Sequence, residues 1–154
     1  MKDLQWLKEA YFAHRGLHTS FIPENSLEAF SSAVSKEYDI ELDIQITKDN
    51  KLIVIHDNNL LRLCNIDINV EETIYDDIKN YKLKASNSTI PLLLDVLNSL
   101  PKSTKLLIEL KTSKKNKLMV SLLLDMITQY NFRNSSIHSC ESKNRKNGGK
   151  SNHT

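Results

Sequence analysis

Seven charged or titratable side chains lie at the ends of apolar runs or alternate with apolar residues: His14, Arg15, Glu41, Asp43, His56, Glu109 and Lys111. Three carboxylates without a neighbouring cysteine are oxygen ligands, which suit a hard divalent cation such as Mg²⁺ or Ca²⁺ better than zinc. The two cations suit a phosphate group. Imidazole, with an ordinary pKa of about 6.5, suits proton transfer near neutral pH. These side-chain types together indicate metal-assisted phosphoryl chemistry.

The elements that must position these residues are strands of an α/β sheet. Residues 40–46 alternate strictly, with isoleucine and leucine on one face and Glu41, Asp43 and Gln45 on the other. Residues 11–14 and 105–110 are two further predicted strands, and each is followed by charge. Because active sites of α/β proteins are built at the carboxyl ends of their strands, we expect these charges to converge.

A fourth predicted strand, residues 52–56, follows 40–46 too closely for a parallel crossover connection. It forms either a hairpin with 40–46 or a locally extended loop, and a hairpin would bring His56 beside Glu41. Gly16 is the only glycine in the first 147 positions. A glycine kept in so glycine-poor a chain indicates a positive φ or a close approach of the backbone to a ligand.

Helices are predicted between the strands. Asn25 as N-cap with Glu28 three residues later resembles a capping box and starts a helix that reaches about residue 38. Further helices are predicted at 73–81, 92–100 and 118–130, and a last strand at 135–139. The core-facing side chains of the 118–130 helix are expected to be Leu118, Leu122, Met126 and Ile127.

Composition excludes several classes of protein. With 40% hydrophobic residues the chain can bury a core, and a net charge of only +2 provides no global attraction to nucleic acid. Cys64 and Cys140 form no metal-binding or disulfide pattern. No run is long and apolar enough for a membrane span or a signal peptide. We therefore expect a cytoplasmic protein without nucleic-acid or integral membrane contact.

Five segments in order resemble the glycerophosphodiester phosphodiesterase family: AHRG at 13–16, PENSLEAF at 23–30, IELDIQITKD at 40–49, VIHD at 54–57 and LIELK at 107–111, with Ile90-Pro91 between the last two. The resemblance implies a TIM-type (β/α)₈ barrel that hydrolyses a small-molecule glycerophosphodiester to glycerol 3-phosphate and an alcohol. It also implies roles for the seven residues: metal ligands Glu41, Asp43 and Glu109, general acid and base His14 and His56, and phosphate-binding Arg15 and Lys111.

A complete barrel needs about 200 to 250 residues, and this chain supplies about five strands. We therefore expect a truncated barrel domain over residues 1–139, with self-association through its incomplete edges. Residues 140–154 carry no aliphatic or aromatic residue and are expected to be a disordered polar tail. The alternatives are a catalytically inactive fragment and a related phosphodiesterase acting on lysophospholipids.

Simpler interpretations of the site residues also exist. Glu41 and Asp43 could form a solvated strand face, and His56 with Asp57 could be an ordinary turn after a strand.

Overall fold

The computed structural model describes residues 5–130 and 135–139. Four strands form a parallel sheet in the order β1-β2-β4-β5: β1 Phe12–His14, β2 Asp39–Ile46, β4 Leu106–Leu110 and β5 Ser135–Ser139. The α/β class and the predicted strands are confirmed. The expected tail at 140–154 lies outside the described residues.

Six α-helices accompany the strands within the described residues: α1 Gln5–Glu9, α2 Leu27–Ser35, α3 Leu61–Cys64, α4 Tyr75–Ile78, α5 Leu93–Ser99 and α6 Asn116–Gln129. A short 3-10 helix covers Val70–Glu72. Across the part of the chain that the structure describes, no helix has the length and apolar character needed to cross a membrane.

The connection between β2 and β3 (Leu52–Val54) is a hairpin, which decides between the two interpretations of that segment. Ile44 pairs with Val54 and Ile46 with Leu52 in antiparallel register. One residue beyond the strand, the Ile55 amide donates to the Asp43 carbonyl at 3.1 Å. His56 therefore leaves the hairpin beside the part of β2 that carries the carboxylates.

Two hydrophobic clusters stabilise the part of the chain that the structure describes. The larger cluster lies between the sheet and helices α2, α5 and α6, and it includes Phe30, Leu42, Leu97 and Leu123. A second cluster, which we call the small lobe, consists of Ile53, Ile55, Leu60, Leu63, Val70, Ile78, Leu83 and Ile90. Each fully buried aliphatic side chain contributes about 1.5 to 3 kcal/mol. The small lobe is thus a packed unit that holds the segment after His56 against the sheet.

Two helix starts differ from the prediction. Ser26, not Asn25, is the N-cap of α2, and its Oγ accepts from the Ala29 amide at 3.1 Å. The helix predicted from Thr73 begins at Tyr75, while the Thr73 hydroxyl donates to the Asn69 carbonyl at 2.9 Å. At α2, two neighbouring polar residues competed for the cap, and sequence spacing alone did not separate them. At α4, the N-cap is Ile74, which makes no side-chain cap bond, so no polar cap residue marks that start.

The buried face of α6 was also predicted one residue out of phase. Met119 and Leu123 are fully buried, whereas Leu118 is 39% exposed. Leu122, Met126 and Ile127 pack at the margin of the core, as expected. The helix is apolar around most of its circumference, so the pattern allowed more than one core-facing stripe.

Candidate active site

Strand register brings the three acidic side chains together. His14 lies opposite Glu41 in the β1–β2 pair, and Asp43 lies opposite Glu109 in the β2–β4 pair. Side chains at paired positions point to the same face of a sheet. One carboxylate oxygen from each of Glu41, Asp43 and Glu109 lies within 4.8 Å of the others. The predicted convergence of the acidic residues is therefore present in the fold.

The burial of these carboxylates excludes the solvated-face interpretation. Glu41 is 7% exposed and Asp43 is 1% exposed, while Glu109 lies at the margin. An ionised carboxylate taken out of water needs compensating charge or hydrogen bonds. The surrounding residues show how that compensation is arranged.

Arg15 serves the cluster with both its backbone and its side chain. Its backbone is left-handed, with φ of 58°, and its amide donates to Glu41 Oε2 at 2.9 Å. Its Nε lies 3.2 Å from Asp43 Oδ2, and its Nη1 donates to Glu24 Oε1 at 3.1 Å. The turn after β1 thus positions one guanidinium between two acidic groups.

Gly16 continues this turn with φ of +77°, as its isolation in the sequence predicted. A Cβ built at this position would lie 2.8 Å from the carbonyl carbon and from the Cβ of Ala29. The close approach is therefore to the first turn of α2, and the glycine lets that helix lie directly behind Arg15.

Lys111 follows β4 and bridges two of the carboxylates. Its Nζ lies 2.6 Å from Glu109 Oε1 and 2.9 Å from Asp43 Oδ1. Burial acts to lower the pKa of Lys111, but the hydrogen bonds to Glu109 and Asp43 outweigh it, so the pKa lies above its ordinary range. The ammonium is therefore fixed in its charged form beside the cluster.

Asn25 has a role at this site that the sequence did not reveal. Its Nδ2 donates to Asp43 Oδ2 at 3.0 Å, and the Asp43 amide donates to its Oδ1 at 3.4 Å. Asn25 is 1% exposed and has φ of 55°. Asparagine is among the few residues that tolerate this left-handed backbone. That tolerance was the available signal, but the sequence did not show that the backbone here is left-handed.

The two histidines occupy different environments. His14 Nε2 lies 3.9 Å from Glu41 Oε2, and the side chain is 67% exposed. His56 is more enclosed: its Nδ1 lies 2.7 Å from Asp57 Oδ1, and its carbonyl accepts from Gln45 Nε2 at 2.9 Å. His14 is thus adjacent to the carboxylate cluster, whereas His56 is tied to Asp57 at the edge of the small lobe.

Three further residues near the site were not predicted to be functional. Arg62 forms a two-pronged contact with Asp57 and another with Glu24. Glu24 also accepts from Arg15. These contacts join segments up to 38 residues apart, so no local pattern in the sequence could have indicated them.

The electrostatics of the site suit a divalent cation. Burial raises the pKa of Glu41; the Arg15 amide opposes this, and the nearby Asp43 carboxylate adds to it. Among the described residues, the Lys111 ammonium at 2.9 Å is the one partner of Asp43 Oδ1. Three carboxylates share the site with two permanent cations, which leaves an excess of negative charge. An oxygen-only donor set of this kind fits a hard cation.

Comparison with known proteins agrees with this chemistry. The family model described as "Glycerophosphoryl diester phosphodiesterase family" matches residues 14–153. The chain is 42% identical over 110 residues to the protein YqiK of Bacillus subtilis, covering 66% of this chain and 45% of YqiK. It is 39% identical over 111 residues to a glycerophosphodiester phosphodiesterase of Bacillus altitudinis, covering 66% of this chain and 45% of that enzyme. It is 31% identical over 134 residues to human lysophospholipase D GDPD1, covering 79% of this chain and 41% of that protein.

Solved structures show the same fold. A glycerophosphodiester phosphodiesterase from Agrobacterium tumefaciens matches with a TM-score of 0.71 and 26% identity, covering 86% of this chain and 58% of that one. A phosphodiesterase from Oleispira antarctica, solved in complex with the product sn-glycerol-3-phosphate, matches with a TM-score of 0.73 and 20% identity, covering 84% of this chain and 56% of that one. The fold is therefore α/β of the TIM-barrel type.

The chain spans less than half the length of these curated relatives and somewhat more than half of these solved structures. The family match nevertheless runs through nearly the whole of it and includes all seven predicted site residues. The chain therefore belongs to the glycerophosphoryl diester phosphodiesterase family.

Proposed function

We propose that the chain carries the catalytic residues of a metal-dependent hydrolase of glycerophosphodiesters, which releases sn-glycerol 3-phosphate and an alcohol. The observation that carries the proposal is the convergence of three buried or half-buried carboxylates and two cations at one face of the sheet. Family membership supports the same reaction class.

In this proposal Glu41, Asp43 and Glu109 hold one divalent cation, Mg²⁺ or Ca²⁺. When bound, such a cation neutralises charge on the phosphoryl oxygens. Arg15 and Lys111 bind the phosphate of the substrate. Two carboxylate contacts use two of the three donors of the Lys111 ammonium, and the third serves a phosphate oxygen.

The proposed proton transfers fall to His14 and His56. One imidazole accepts a proton from the attacking water as its oxygen bonds to phosphorus. The other donates a proton to the alcohol oxygen as its bond to phosphorus breaks, so that diester and water give monoester and alcohol. The cations of Arg15 and Lys111 stabilise the negative charge that develops on the phosphoryl oxygens between these steps.

We further propose that the described sheet corresponds to the first strands of a TIM-type barrel. The parallel order β1-β2-β4-β5 supports this, because parallel strands alternating with helices are the repeating unit of such a barrel. Strands β1 and β5 stand at the two ends of that order in the described part of the chain. Self-association through these edges is the expected consequence, and sedimentation velocity measures it.

The activity is tested by hydrolysis of glycerophosphocholine by the full 154-residue chain, with Mg²⁺ or Ca²⁺ and again after EDTA. Turnover is expected with metal, with none after chelation, and Asp43→Asn should abolish it. Asp125→Asn is the matched control, because Asp125 is exposed on α6. A folded chain without metal-dependent turnover would reject this function and leave the second candidate, a catalytically inactive domain.

A third candidate is a phosphodiesterase acting on lysophospholipids. The human relative named lysophospholipase D, 31% identical over 79% of this chain, is the observation that favours it. The same carboxylates, cations and histidines would serve either headgroup. Parallel assays with glycerophosphocholine and lysophosphatidylcholine separate the two, since preferential release of choline from the lysolipid would support this candidate.

A further inference from the structure

A continuous chain of charged contacts runs from His56 toward the carboxylate cluster. His56 Nδ1 lies 2.7 Å from Asp57 Oδ1. Arg62 donates to both Asp57 oxygens, at 2.6 Å from Nε and 3.0 Å from Nη2. The same guanidinium donates to both Glu24 oxygens, at 2.6 and 3.2 Å, and Glu24 accepts from Arg15.

The Arg62 guanidinium binds Asp57 with one edge and Glu24 with another. Among the side chains, only arginine can bind two carboxylates in this way. The planar fork of arginine grips a carboxylate with two parallel hydrogen bonds, whereas a lysine ammonium acts as a point charge. Arg62 belongs to α3 in the small lobe, and Glu24 belongs to the loop that follows Arg15. Arg62 therefore joins the segment that carries His56 to the segment that carries Arg15.

The contact with Arg62 also lowers the pKa of Asp57 and fixes the position of its carboxylate. Hydrogen bonds from Arg62 are the main reason that the pKa of Asp57 falls to about 2, with burial opposing them and His56 adding to them. Asp57 is a carboxylate at neutral pH, as an unperturbed aspartate would be, and can only accept hydrogen bonds. The two bonds from Arg62 hold that carboxylate in place against His56 Nδ1. Nδ1 of His56 must then carry a proton, so in the neutral imidazole Nε2 is the nitrogen that can accept one.

We propose that Arg62 is a positioning residue that acts through Asp57 to fix the tautomer and the ring orientation of His56. The catalytic consequence rests on the function proposed above, while the tautomer of His56 does not. The competing interpretation is a surface ion pair without effect on His56, since the Arg62 side chain is 45% exposed and many exposed pairs contribute little.

The test is the long-range ¹H–¹⁵N spectrum of the histidine imidazoles at a pH where they are neutral, together with kcat and KM. The wild-type chain should show His56 protonated at Nδ1. Arg62→Gln should shift His56 to a mixture of both tautomers and lower kcat roughly tenfold, with KM nearly unchanged. Arg62→Lys should lie between the two, because one ammonium cannot grip both carboxylates.

Lys79→Gln is the matched control. Lys79 is an exposed cation of the small-lobe segment that pairs with Asp76, and its loss should leave the His56 resonances and kcat unchanged. If the His56 resonances of Arg62→Gln match those of the wild-type chain, the proposal is overturned. An increase of KM without loss of kcat would also overturn it, because it would indicate direct contact of Arg62 with substrate.

The tautomer readout keeps this inference separate from the proposed function. If the wild-type chain shows no turnover, the function fails, and the imidazole spectra still decide the role of Arg62. If Arg62→Gln does not fold, Asp57→Asn replaces it with a substitution that preserves the shape of the side chain. The amide introduced by Asp57→Asn can donate to Nδ1, so His56 should change to the Nε2-protonated form, and an unchanged tautomer would refute the proposal.

Discussion

Replacement of Asn25 by alanine should destabilise the chain well beyond the effect of an ordinary polar substitution. The Asn25 side chain is buried and donates to the Asp43 carboxylate at 3.0 Å. Its backbone lies in the left-handed region, at φ of 55°. The substitution therefore removes a hydrogen bond to a buried charge and places a less tolerant residue in a strained conformation.

The magnitude follows from these two contributions. A hydrogen bond to a charged group is worth about 1.5 to 3 kcal/mol. The left-handed conformation costs an alanine about 1 kcal/mol. The free energy of unfolding of Asn25→Ala should therefore fall by about 3 kcal/mol. Glycine adopts this φ without strain, so Asn25→Gly should recover about 1 kcal/mol of that loss.

Urea denaturation followed by circular dichroism measures both variants. Equal stability of Asn25→Ala and Asn25→Gly would show that the backbone strain is absent. Stabilities of both variants within about 0.5 kcal/mol of wild type, the range of ordinary surface substitutions, would refute the assigned bond between Asn25 and Asp43.

Three further predictions concern stability. Gly16→Ala should lower the melting temperature by several degrees, measured by calorimetry, because its Cβ would lie 2.8 Å from the backbone of Ala29. The pKa of Asp57, about 2, lies below the value of about 3.9 expected in the unfolded chain. The ionised Asp57 should therefore stabilise the folded chain by about 1 kcal/mol after allowance for solvent screening, above about pH 4, and this contribution should disappear as pH falls toward about 2. Urea titrations compare Asp57→Asn with wild type across this pH range. A difference in stability that stays constant with pH would show that the assignment is wrong. Lys115→Met should cost about 1 kcal/mol in urea, against no change for the exposed Lys117→Met, because the Lys115 ammonium donates to two carbonyls and to Asn50.

The strands and the acidic cluster were predictable because their signals are local. Strict alternation over residues 40–46 defined β2 and placed Glu41 and Asp43 on one face. Parallel pairing then made it inevitable that strand-end charges meet at one edge. The family resemblance added the roles, which remain proposals, while the geometry of the cluster follows from register alone.

The supporting residues were not predictable, because their partners are distant in sequence. Asn25 looks like a helix cap until the fold brings Asp43 within 3.0 Å of it. Arg62 has no local motif, and its significance depends on contacts with Glu24 across 38 residues. The core-facing side of α6 was mispredicted for a different reason: apolar residues cover more than half of its circumference, so the pattern allows more than one core-facing stripe.

Isothermal titration calorimetry with Mg²⁺ and Ca²⁺ tests the central claim, that the three carboxylates form a divalent cation site, most directly. The wild-type chain and the Asp125→Asn control should each bind one cation per chain. Asp43→Asn, which removes the buried carboxylate at the centre of the cluster, should show no saturable binding. Equal affinity in Asp43→Asn, or no saturable binding by the wild-type chain, would contradict the claim.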